Sequence, residues 1–298
     1  MSTIVLKEDQ IEEAVFFLKQ GEPVAIPTET VYGLAAPIFC EEAVKKIFAL
    51  KKRPQDNPLI AHISSIEMLE LIAEEIPDSF ARLSRVFWPG PLAMIVRKKE
   101  KVSSLVSAGF STIAVRMPSH PIALKLIESV GEPLVAPSAN ISGRPSPTTV
   151  QHVLEDFNGS LRAVLDGGPC EVGIESTVLS LVHDVPTLFR PGAVTKEQIE
   201  DVLQIKVALP RKEDPAPSPG MKYRHYAPKA TIQIVKHLPV EAGTVLSREL
   251  GTLSARSLYA SLREADRRGV ETIWVLLDSI SESDEALMNR LFRAAGKY

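Results

Sequence analysis

Three short segments carry polar side chains whose types suit the binding of a nucleotide or another anion. They are PTETVYGL at residues 27–34, KKRP at residues 51–54 and PSAN at residues 137–140. Lysine and arginine donate charge-assisted hydrogen bonds to phosphate oxygens, and hydroxyl and amide groups add neutral donors. None of the three segments has the composition of packing residues alone. Together they predict a nucleotide site.

The basic run that contains Lys51 and Arg53 has two interpretations. A helix predicted over residues 41–50 ends before Pro54, and basic residues at a helix C-terminus interact favourably with the helix dipole. For such residues taken alone, that structural interpretation is the more common one. The functional alternative is a phosphate clamp, because Arg53 offers a bidentate donor and Asn57 supplies an amide four residues later.

The segment PSANISGRPSPTT follows a strand-like run, PLVA, and is rich in hydrogen-bond donors. It is typical of a turn that caps the next helix, and Ser146 and Thr148 suit that role. Ligands of open α/β sheets, however, collect beyond the carboxyl ends of strands, so this concentration of donors favours an anion or nucleotide loop. The donors are Ser138, Asn140, Ser142, Arg144 and Ser146.

Two further candidates lie in strand-like runs. Arg116 in AVRMP is either a solvated or ion-paired residue or, with Thr112 beside it, a ligand for a carboxylate. His62 in LIAHIS is more often a core histidine with its hydrogen bonds satisfied than a ligand. Neither residue alone identifies a site.

The segments GIESTVLSL and FRPGA add three polar residues at strand ends. Glu175 and Ser176 can simply begin a strand, and Arg190 can simply cap one. The PTETVYG segment can be a turn in which Gly33 supplies a positive φ. Placing four polar side chains between apolar runs nevertheless costs more free energy than a simple turn requires. The functional interpretation therefore stays open.

The common signatures of nucleotide and hydrolase sites are missing from this chain. It contains no G-x-x-x-x-G-K-[ST], G-x-G-x-x-G, H-E-x-x-H or G-x-S-x-G motif, so a nucleotide site must be built in another way. Cys40 and Cys170 belong to no C-x-x-C motif and have no histidine at metal-ligand spacing. They predict two reduced thiols, without a disulfide or a zinc site.

Composition narrows the class of protein. The 298 residues are 45% hydrophobic and 24% charged, which is typical of a globular protein with one large domain or two unequal ones. A net charge of −3 argues against a broad basic face for nucleic acid. No apolar run reaches the roughly 20 residues that span a bilayer, and we expect a cytoplasmic protein without membrane contact.

Helical and extended patterns alternate along the first 200 residues and predict an α/β fold with a mixed sheet. A helix with Asp9 as its N-cap and Gly21 as its C-cap precedes the first predicted strand, PVAIPT. Further helices are expected at residues 41–50, 65–76, 120–130, near 148–157, and at 195–204. Strands are expected at residues 58–63, 92–98, 111–117, 133–140, 163–168, 176–182 and 187–191.

A proline-rich stretch divides the chain. Five prolines fall between residues 209 and 229, where no apolar periodicity survives, so we predict a catalytic domain over residues 1–207 and a linker over residues 208–229. The linker's second half, SPGMKYRHYAP, carries more polar and aromatic residues than a plain spacer. Residues 230–298 predict a small α/β domain with strands at 231–235 and 273–278 and helices at 253–269 and 284–296.

The chain resembles the two-domain threonylcarbamoyl-adenylate synthases, with a YrdC-type catalytic domain, a linker and a small C-terminal domain. The resemblance extends over residues 8–229 and includes PTETVYGL, the K-x-R of Lys51 and Arg53, and the S-x-N of Ser138 and Asn140. It also includes WPGPL, VRMP, ESTV, FRPGA and PGMKYRHYAP. The resemblance implies a YrdC-like twisted mixed β-sheet with flanking helices, and a Rossmann-like α/β C-terminal domain.

The resemblance also implies an activity and a set of ligands. The activity is condensation of L-threonine, bicarbonate or CO2 and ATP into L-threonylcarbamoyl-AMP with release of pyrophosphate, and Lys51 and Arg53 are the implied catalytic cations. The family pattern assigns L-threonine to Thr30, His62, Arg116, Ala136 and Ser176. It assigns ATP to Lys51, Arg53, Asn57, Thr112, Ser138, Asn140, Ser146, Arg190 and Tyr226.

These implied roles are chemically consistent. Arg116 can hold a carboxylate with two parallel bonds, and fixed cations can stabilise charge on the phosphates without a general base. Mg²⁺ is expected with ATP, although the motifs contain no dedicated carboxylate cage. By resemblance, the linker folds over the cleft and Tyr226 reaches the nucleotide, excluding water from hydrolysis-prone intermediates.

Some features leave alternatives open. The C-terminal domain is expected to be shortened between Val235 and Val245, where a strand and a helix of the family pattern have no counterpart. The tRNA threonylcarbamoyl-transferase machinery is the expected downstream partner, and direct RNA binding is left open. One rival is a nucleic-acid-binding module, disfavoured by the net charge of −3. Another is a carbamoyl-phosphate-dependent relative, disfavoured because such enzymes add cysteine-rich zinc modules.

Overall fold

Ten strands in the first 190 residues form one sheet. The structure is a computed structural model that describes residues 2–211 and 225–297. The sheet runs in the order β1-β8-β2-β3-β7-β4-β6-β5-β9-β10. The strands are β1 Ile4–Leu6, β2 Val24–Ile26, β3 Gly33–Pro37, β4 Ile60–His62, β5 Leu92–Arg97, β6 Thr112–Arg116, β7 Leu134–Val135, β8 Ala163–Leu165, β9 Thr177–Ser180 and β10 Thr187–Arg190.

The sheet combines both strand orientations, as the sequence predicted. β4 pairs parallel with β6 and β5 parallel with β9, whereas β7 lies antiparallel to both β3 and β4. β9 and β10 form an antiparallel pair. The carboxyl ends of β4 and β6 therefore meet at one edge of the sheet, which is where polar ligand-binding residues can gather.

Helices cover both faces of this sheet. Ala25 of β2 belongs to one apolar cluster and its neighbours Val24 and Ile26 to another, as expected when successive side chains point to opposite faces. The second cluster contains apolar residues of the first and fifth helices, and the first cluster contains those of the second, third, sixth and seventh helices. The helices are α1 Ile11–Lys19, α2 Glu41–Lys51, α3 Asp78–Phe87, α4 Ser104–Ser107, α5 Pro121–Val130, α6 Val150–Phe157 and α7 Lys196–Leu203.

One predicted helix is largely wrong. Residues 65–76 form only a short 3-10 helix, Glu67–Leu71. Ala73 pairs with Lys98 in an isolated β-bridge, and the carbonyl of Ile72 accepts from the amide of Lys99 at 2.8 Å. The backbone after the 3-10 helix thus hydrogen-bonds to the segment that follows β5, and this pairing takes the place of further helical turns.

The capping residues predicted from the sequence were wrong for two helices. A 3-10 turn, Glu8–Gln10, precedes α1, so Asp9 lies inside that turn and the N-cap is Gln10. Thr149 caps α6, where its side chain accepts from the amide of His152, so neither Ser146 nor Thr148 has that role. Apolar periodicity and capping residues predict that a helix is present more reliably than they predict its first residue.

The C-terminal part forms a separate three-stranded parallel sheet in the order β11-β13-β12. Residues 236–243 join β11 to β12 without a helix or strand, which is short for a connection between parallel strands. That a segment has been lost here stays a prediction. The elements are β11 Thr231–Val235, β12 Thr244–Leu246, β13 Thr272–Leu276, α8 Leu258–Arg267, α9 Ser279–Ser283 and α10 Glu285–Ala294.

The second sheet and its helices pack directly against the first domain. Val31 and Ile174 of the first domain share an apolar cluster with residues of α8, α10 and β13. Arg263 of α8 and Arg290 of α10 are both buried in this contact. Of the predicted linker, residues 212–224 lie outside the described residues. In the part of the chain described, no helix has the length and apolar character needed to cross a membrane.

Gly192 allows two backbone segments to approach closely, which predicts a specific sensitivity. A Cβ at this position would lie 2.3 Å from the Thr177 amide nitrogen and 2.7 Å from the Ser176 carbonyl carbon. Because neither backbone atom can move away independently, we expect Gly192→Ala to destabilise the fold by roughly 1–3 kcal/mol. Thermal or urea unfolding measures this loss.

Gly243→Ala is the matched control. No atom lies within 4 Å of the Cβ position at Gly243, so this variant should change stability by less than about 0.5 kcal/mol. Equal stability of the two variants would contradict the close packing at Gly192.

Candidate active site

Most of the predicted site residues line one cavity, which lies at the edge of the sheet where β4 and β6 end. All five residues assigned to L-threonine line it, together with four of those assigned to ATP: Arg53, Ser138, Arg190 and Tyr226. The remaining lining residues are Thr28, Val31, Gly33, Ile60, Pro137, Glu175 and His225. Segments far apart in sequence thus meet at one cavity.

His62 and Arg116 are neighbours because their strands are in register. They are the last residues of β4 and β6, and they are directly paired across the two parallel strands. Both side chains are buried. The AVRMP and LIAHIS runs therefore supply adjacent side chains to the same end of the sheet.

Arg116 is held by two hydrogen bonds and one ion pair. Its Nη2 forms an ion pair with Glu29 at 2.5 Å, its Nη1 donates to Thr30 Oγ1 at 2.7 Å, and its Nε donates to the Gly90 carbonyl at 3.2 Å. Arg116 is 3% exposed and Glu29 4%. The WPGPL segment thus contributes a carbonyl that orients the arginine, and Glu29 balances its buried charge. Sequence reasoning did not single out Glu29.

The PTETVYG segment is a turn held by its own hydroxyl groups. Thr28 Oγ1 donates to the Val31 carbonyl at 2.6 Å and accepts from the amides of Thr30 and Val31. The Thr30 hydroxyl, which accepts from Arg116, lies 2.9 Å from Thr28 Oγ1. The turn thereby fixes Thr30 against the arginine.

Gly33 follows this turn for a different reason from the one predicted. It is the first residue of β3 and is not among the residues with positive φ. A Cβ there would lie 3.0 Å from Ala136 Cβ, so glycine allows the strand to approach the segment after β7. Ala136 was assigned to L-threonine, and this approach brings its segment beside the turn.

His62 is a neutral ring in this site. Burial, and then the nearby positive charge of Arg116, lower the pKa of His62 to about 3. Nδ1 lies 3.2 Å from the Ile60 carbonyl. Because a carbonyl only accepts, a hydrogen bond at this position places the proton on Nδ1 and leaves Nε2 as an acceptor for a ligand hydroxyl or ammonium group.

Arg53 and Arg190 bring positive charge to the cavity. Arg53 donates to the carbonyls of Asn57 at 3.2 Å and Pro58 at 2.9 Å, while Arg190 Nε donates to the Ser176 carbonyl at 3.0 Å. Burial chiefly lowers the pKa of Arg53, to about 10, so it remains a cation at neutral pH. These bonds hold both guanidinium groups at the cavity wall.

Lys51 lies behind the cavity wall, not among the lining residues. It is 1% exposed, and its Nζ donates to the carbonyls of Ser138 and Asn140, the latter at 2.6 Å. Burial, with repulsion from Arg53, places the pKa of Lys51 well below its usual value. In this structure Lys51 holds the S-x-N loop, and a direct bond to ATP stays a prediction.

Four other residues assigned to ATP do not line the cavity. Asn57 contributes its carbonyl to Arg53, and the Asn140 amide donates to the carbonyls of Ile141 and Arg144. Ser146 donates to Glu175. The fourth is Thr112, at the opposite end of β6 from Arg116 and about 13 Å away at the usual rise of a strand.

Glu175 is a functional candidate that sequence reasoning left as a strand start. It lines the cavity, and its Oε1 accepts from Ser146 Oγ at 2.5 Å. Its Oε2 accepts from the Tyr259 hydroxyl at 2.9 Å and from Arg290 Nε at 2.8 Å. Burial alone would raise the pKa of Glu175, but the positive charges of Arg290 and Arg190 lower it to about 2. The ESTV motif, which begins with Glu175, is the sequence feature that could have indicated a functional role for this residue.

The described end of the linker reaches the cavity. His225 and Tyr226 both line it, and the Tyr226 ring packs at a centroid distance of 5.3 Å from Tyr259 of α8. Burial and the charge of Arg53 lower the pKa of His225 to about 4. His225 was noted only as part of an unusual linker, and its distant partners gave no sequence signal.

The described residues of the cavity do not form a dedicated metal site. Among residues 2–211 and 225–297, no group of three or more histidine, cysteine, aspartate or glutamate side chains could hold an ion. The two carboxylates near the cavity, Glu29 and Glu175, are ion-paired with arginines. These residues therefore do not fit a resident Mg²⁺, and a metal ion would have to arrive coordinated by the phosphates of its nucleotide.

Two family models cover almost the whole chain. A model described as telomere recombination, named after Sua5, YciO and YrdC, matches residues 17–192. A second, described as the C-terminal domain of threonylcarbamoyl-AMP synthase, matches residues 194–250 and 243–296. The two models thus account for the two sheets.

Curated proteins and solved structures agree with these matches. The threonylcarbamoyl-AMP synthase of Pyrococcus abyssi is 43% identical over 336 aligned residues, which cover 99% of this chain and 98% of the relative. That of Bacillus subtilis is 40% identical, with 97% and 94% covered. The crystal structure of P. abyssi Sua5 complexed with L-threonine is 40% identical, covers 99% of this chain and 98% of its own, and has a TM-score of 0.88. By sequence, by fold and by the residues gathered at its cavity, this chain belongs to the threonylcarbamoyl-AMP synthase family.

Proposed function

We propose that this protein synthesises L-threonylcarbamoyl-AMP from L-threonine, bicarbonate or CO2 and ATP, with release of pyrophosphate. The product is the first intermediate of threonylcarbamoyl-adenosine formation in tRNA. The observation that carries this proposal is the meeting of Arg116, Arg53 and Arg190 at one cavity. One arginine suits an amino-acid carboxylate and the other two suit phosphates. The names of the relatives and the threonine complex of one relative support the same assignment.

The threonine half of the cavity centres on Arg116. Its guanidinium lies between Glu29 and Thr30, and a substrate carboxylate can approach it from the cavity side. Neutral His62 then accepts from the substrate hydroxyl or amine. Ser176 and Ala136 complete this part of the wall.

The nucleotide half is built from cations and donors at the ends of loops. Arg53 and Arg190 contact the phosphates, Ser138 donates a hydroxyl, and Tyr226 covers the nucleotide from the linker. The two arginines are already held by backbone carbonyls, so little reorganisation is needed when the phosphates bind.

The reaction follows from this arrangement. The neutral amine nitrogen of threonine forms a bond to the carbon of bicarbonate, which loses water, or to the carbon of CO2, in which case the amine loses one proton to solvent. A carbamate oxygen then attacks the α-phosphorus of ATP, the bond from that phosphorus to the bridging oxygen of the β-phosphate breaks, and pyrophosphate leaves. Mg²⁺, if it enters as part of the nucleotide substrate, would neutralise part of the triphosphate charge. Arg53 and Arg190 stabilise the negative charge that redistributes over the phosphates.

The partners follow from the product. A mixed anhydride is prone to hydrolysis, so it passes to the tRNA threonylcarbamoyl-transferase machinery in the cytoplasm, where tRNA is modified. The net charge of −3 gives no support to a nucleic-acid module, and the described residues contain no cysteine-rich metal cluster of a carbamoyl-phosphate-dependent enzyme.

Pyrophosphate release is the direct test of the proposed reaction. We expect release from ATP only when L-threonine and bicarbonate are both present, and a loss of roughly 100-fold in Arg53→Ala because a fixed cation at the phosphates is removed. Arg85→Ala, an exposed arginine of α3, is the matched control and should retain the wild-type rate. Release without threonine, or none at all from intact protein, would contradict the proposal.

Tyr226 should matter more to the rate than to the fold. We expect Tyr226→Ala to reduce synthesis by a larger factor than its loss of Tm explains, because the cavity becomes open to water. Tyr226→Phe keeps the ring that packs on Tyr259 and serves as the control. Rate and Tm are measured on the same preparations. A rate loss that simply follows the loss of Tm would show that Tyr226 is only a packing residue.

Selectivity against L-serine should be incomplete. Serine lacks one methyl group, which a pocket distinguishes by about 1–3 kcal/mol. We therefore expect kcat/KM for L-serine to be about 10- to 200-fold below that for L-threonine. A competition assay with both amino acids measures this ratio. Complete rejection of serine would require a specificity device beyond contact with the methyl group.

A further inference from the structure

Arg290, on helix α10 of the C-terminal domain, contacts two segments of the active-site wall. It is 0% exposed, and its Nε donates to Glu175 Oε2 at 2.8 Å. Its Nη2 donates to the Glu175 carbonyl at 3.1 Å, and its Nη1 donates to the Pro191 carbonyl at 2.9 Å. A single side chain of the second domain thus holds both the ESTV and the FRPGA segments.

These two segments carry the groups that face the nucleotide. Glu175 accepts from Ser146, and Glu175 itself lines the cavity. Arg190 precedes Pro191 and donates to both the carbonyl and the hydroxyl of Ser176. Movement of Glu175 or Pro191 would therefore displace Arg190 and Ser176, because each is next to the displaced residue in the chain.

Tyr226 rests on the same pair of C-terminal residues. Its ring lies 5.3 Å from that of Tyr259, and the Arg290 guanidinium carbon is 5.8 Å from the Tyr226 ring centroid. The Tyr259 hydroxyl donates to Glu175 at 2.9 Å. The residue that closes the cavity and the carboxylate in its wall consequently share one support in the C-terminal domain.

We propose that Arg290 is a positioning residue for the nucleotide half of the active site, acting through Glu175, Arg190 and Tyr226. It does not line the cavity, so it acts through the residues that do. Its role is to fix the wall and the cover in the relative position that ATP requires. This inference rests on the proposed function for the identity of the nucleotide.

Arg263 is an arginine of the C-terminal domain whose partners in the first domain do not line the cavity. It is also buried, lies on α8 of the same domain, and forms an ion pair with Asp156 at 3.1 Å. It donates to the Pro145 carbonyl at 2.7 Å and to Glu155 at 3.1 Å. None of these three partners lines the cavity. Arg263 therefore joins the same two domains through residues behind the cavity wall, and its Pro145 partner precedes Ser146, which is connected to the wall through its bond to Glu175.

The test compares Arg290→Lys with Arg263→Lys in the full chain. Each variant keeps a positive charge and loses the planar fork that makes several bonds at once. Calorimetric titration gives Kd for ATP, steady-state kinetics give KM and kcat, and thermal unfolding gives Tm. We expect Arg290→Lys to raise Kd and KM for ATP at least tenfold, and Arg263→Lys to change them less than threefold at a comparable loss of Tm.

Tyr259→Phe keeps the inference testable if Arg290→Lys fails to fold. It removes one hydrogen bond to Glu175 and keeps the ring under Tyr226, so Kd for ATP should rise by a smaller but measurable factor, about threefold. Equal ATP affinities in the wild type, Tyr259→Phe and any folded Arg290→Lys would overturn the inference. Failure of the proposed function appears differently, as absence of threonine-dependent pyrophosphate release from the wild type, and leaves the comparison of ATP affinities valid.

Discussion

Burial of positive charge determines how the loops around the cavity are arranged. Lys51, Arg116 and Arg290 are each at most 3% exposed, and a buried cation without oxygen partners is strongly destabilising. Lys51 takes carbonyls of the S-x-N loop, Arg116 takes Glu29 and Arg290 takes Glu175. Each of these contacts joins segments distant in sequence. The cavity wall is therefore held together by contacts within the chain itself.

The same constraint explains why the C-terminal domain supports the cavity wall. Glu175 needs cationic and hydroxyl partners once it is buried, and Arg290 and Tyr259 supply them from the second domain. Tyr226 then packs on Tyr259 and lines the cavity. The small domain has a minimal three-stranded sheet, so its packing against the first domain contributes to its own stability as well.

The predicted residues that meet at the cavity come from motifs that lie at strand ends. Arg116 and His62 each end an apolar run, and the register of two parallel strands makes them neighbours. The helix expected at residues 65–76 was wrong because backbone pairing beside β5 prevailed over apolar periodicity. The roles of Glu29 and Glu175 could not be read from the chain, since their partners lie 87 and 115 positions away. Local patterns contain no information about such pairs.

A crystal structure with L-threonine and α,β-methylene ATP bound would show directly which residues hold each substrate. This analogue cannot break at the bond from which pyrophosphate leaves, so both ligands remain in place. We expect the threonine carboxylate to bind Arg116 and the phosphates to bind Arg53 and Arg190, with Tyr226 lying over the nucleotide. Phosphates bound elsewhere, or a threonine carboxylate that does not contact Arg116, would contradict this expectation.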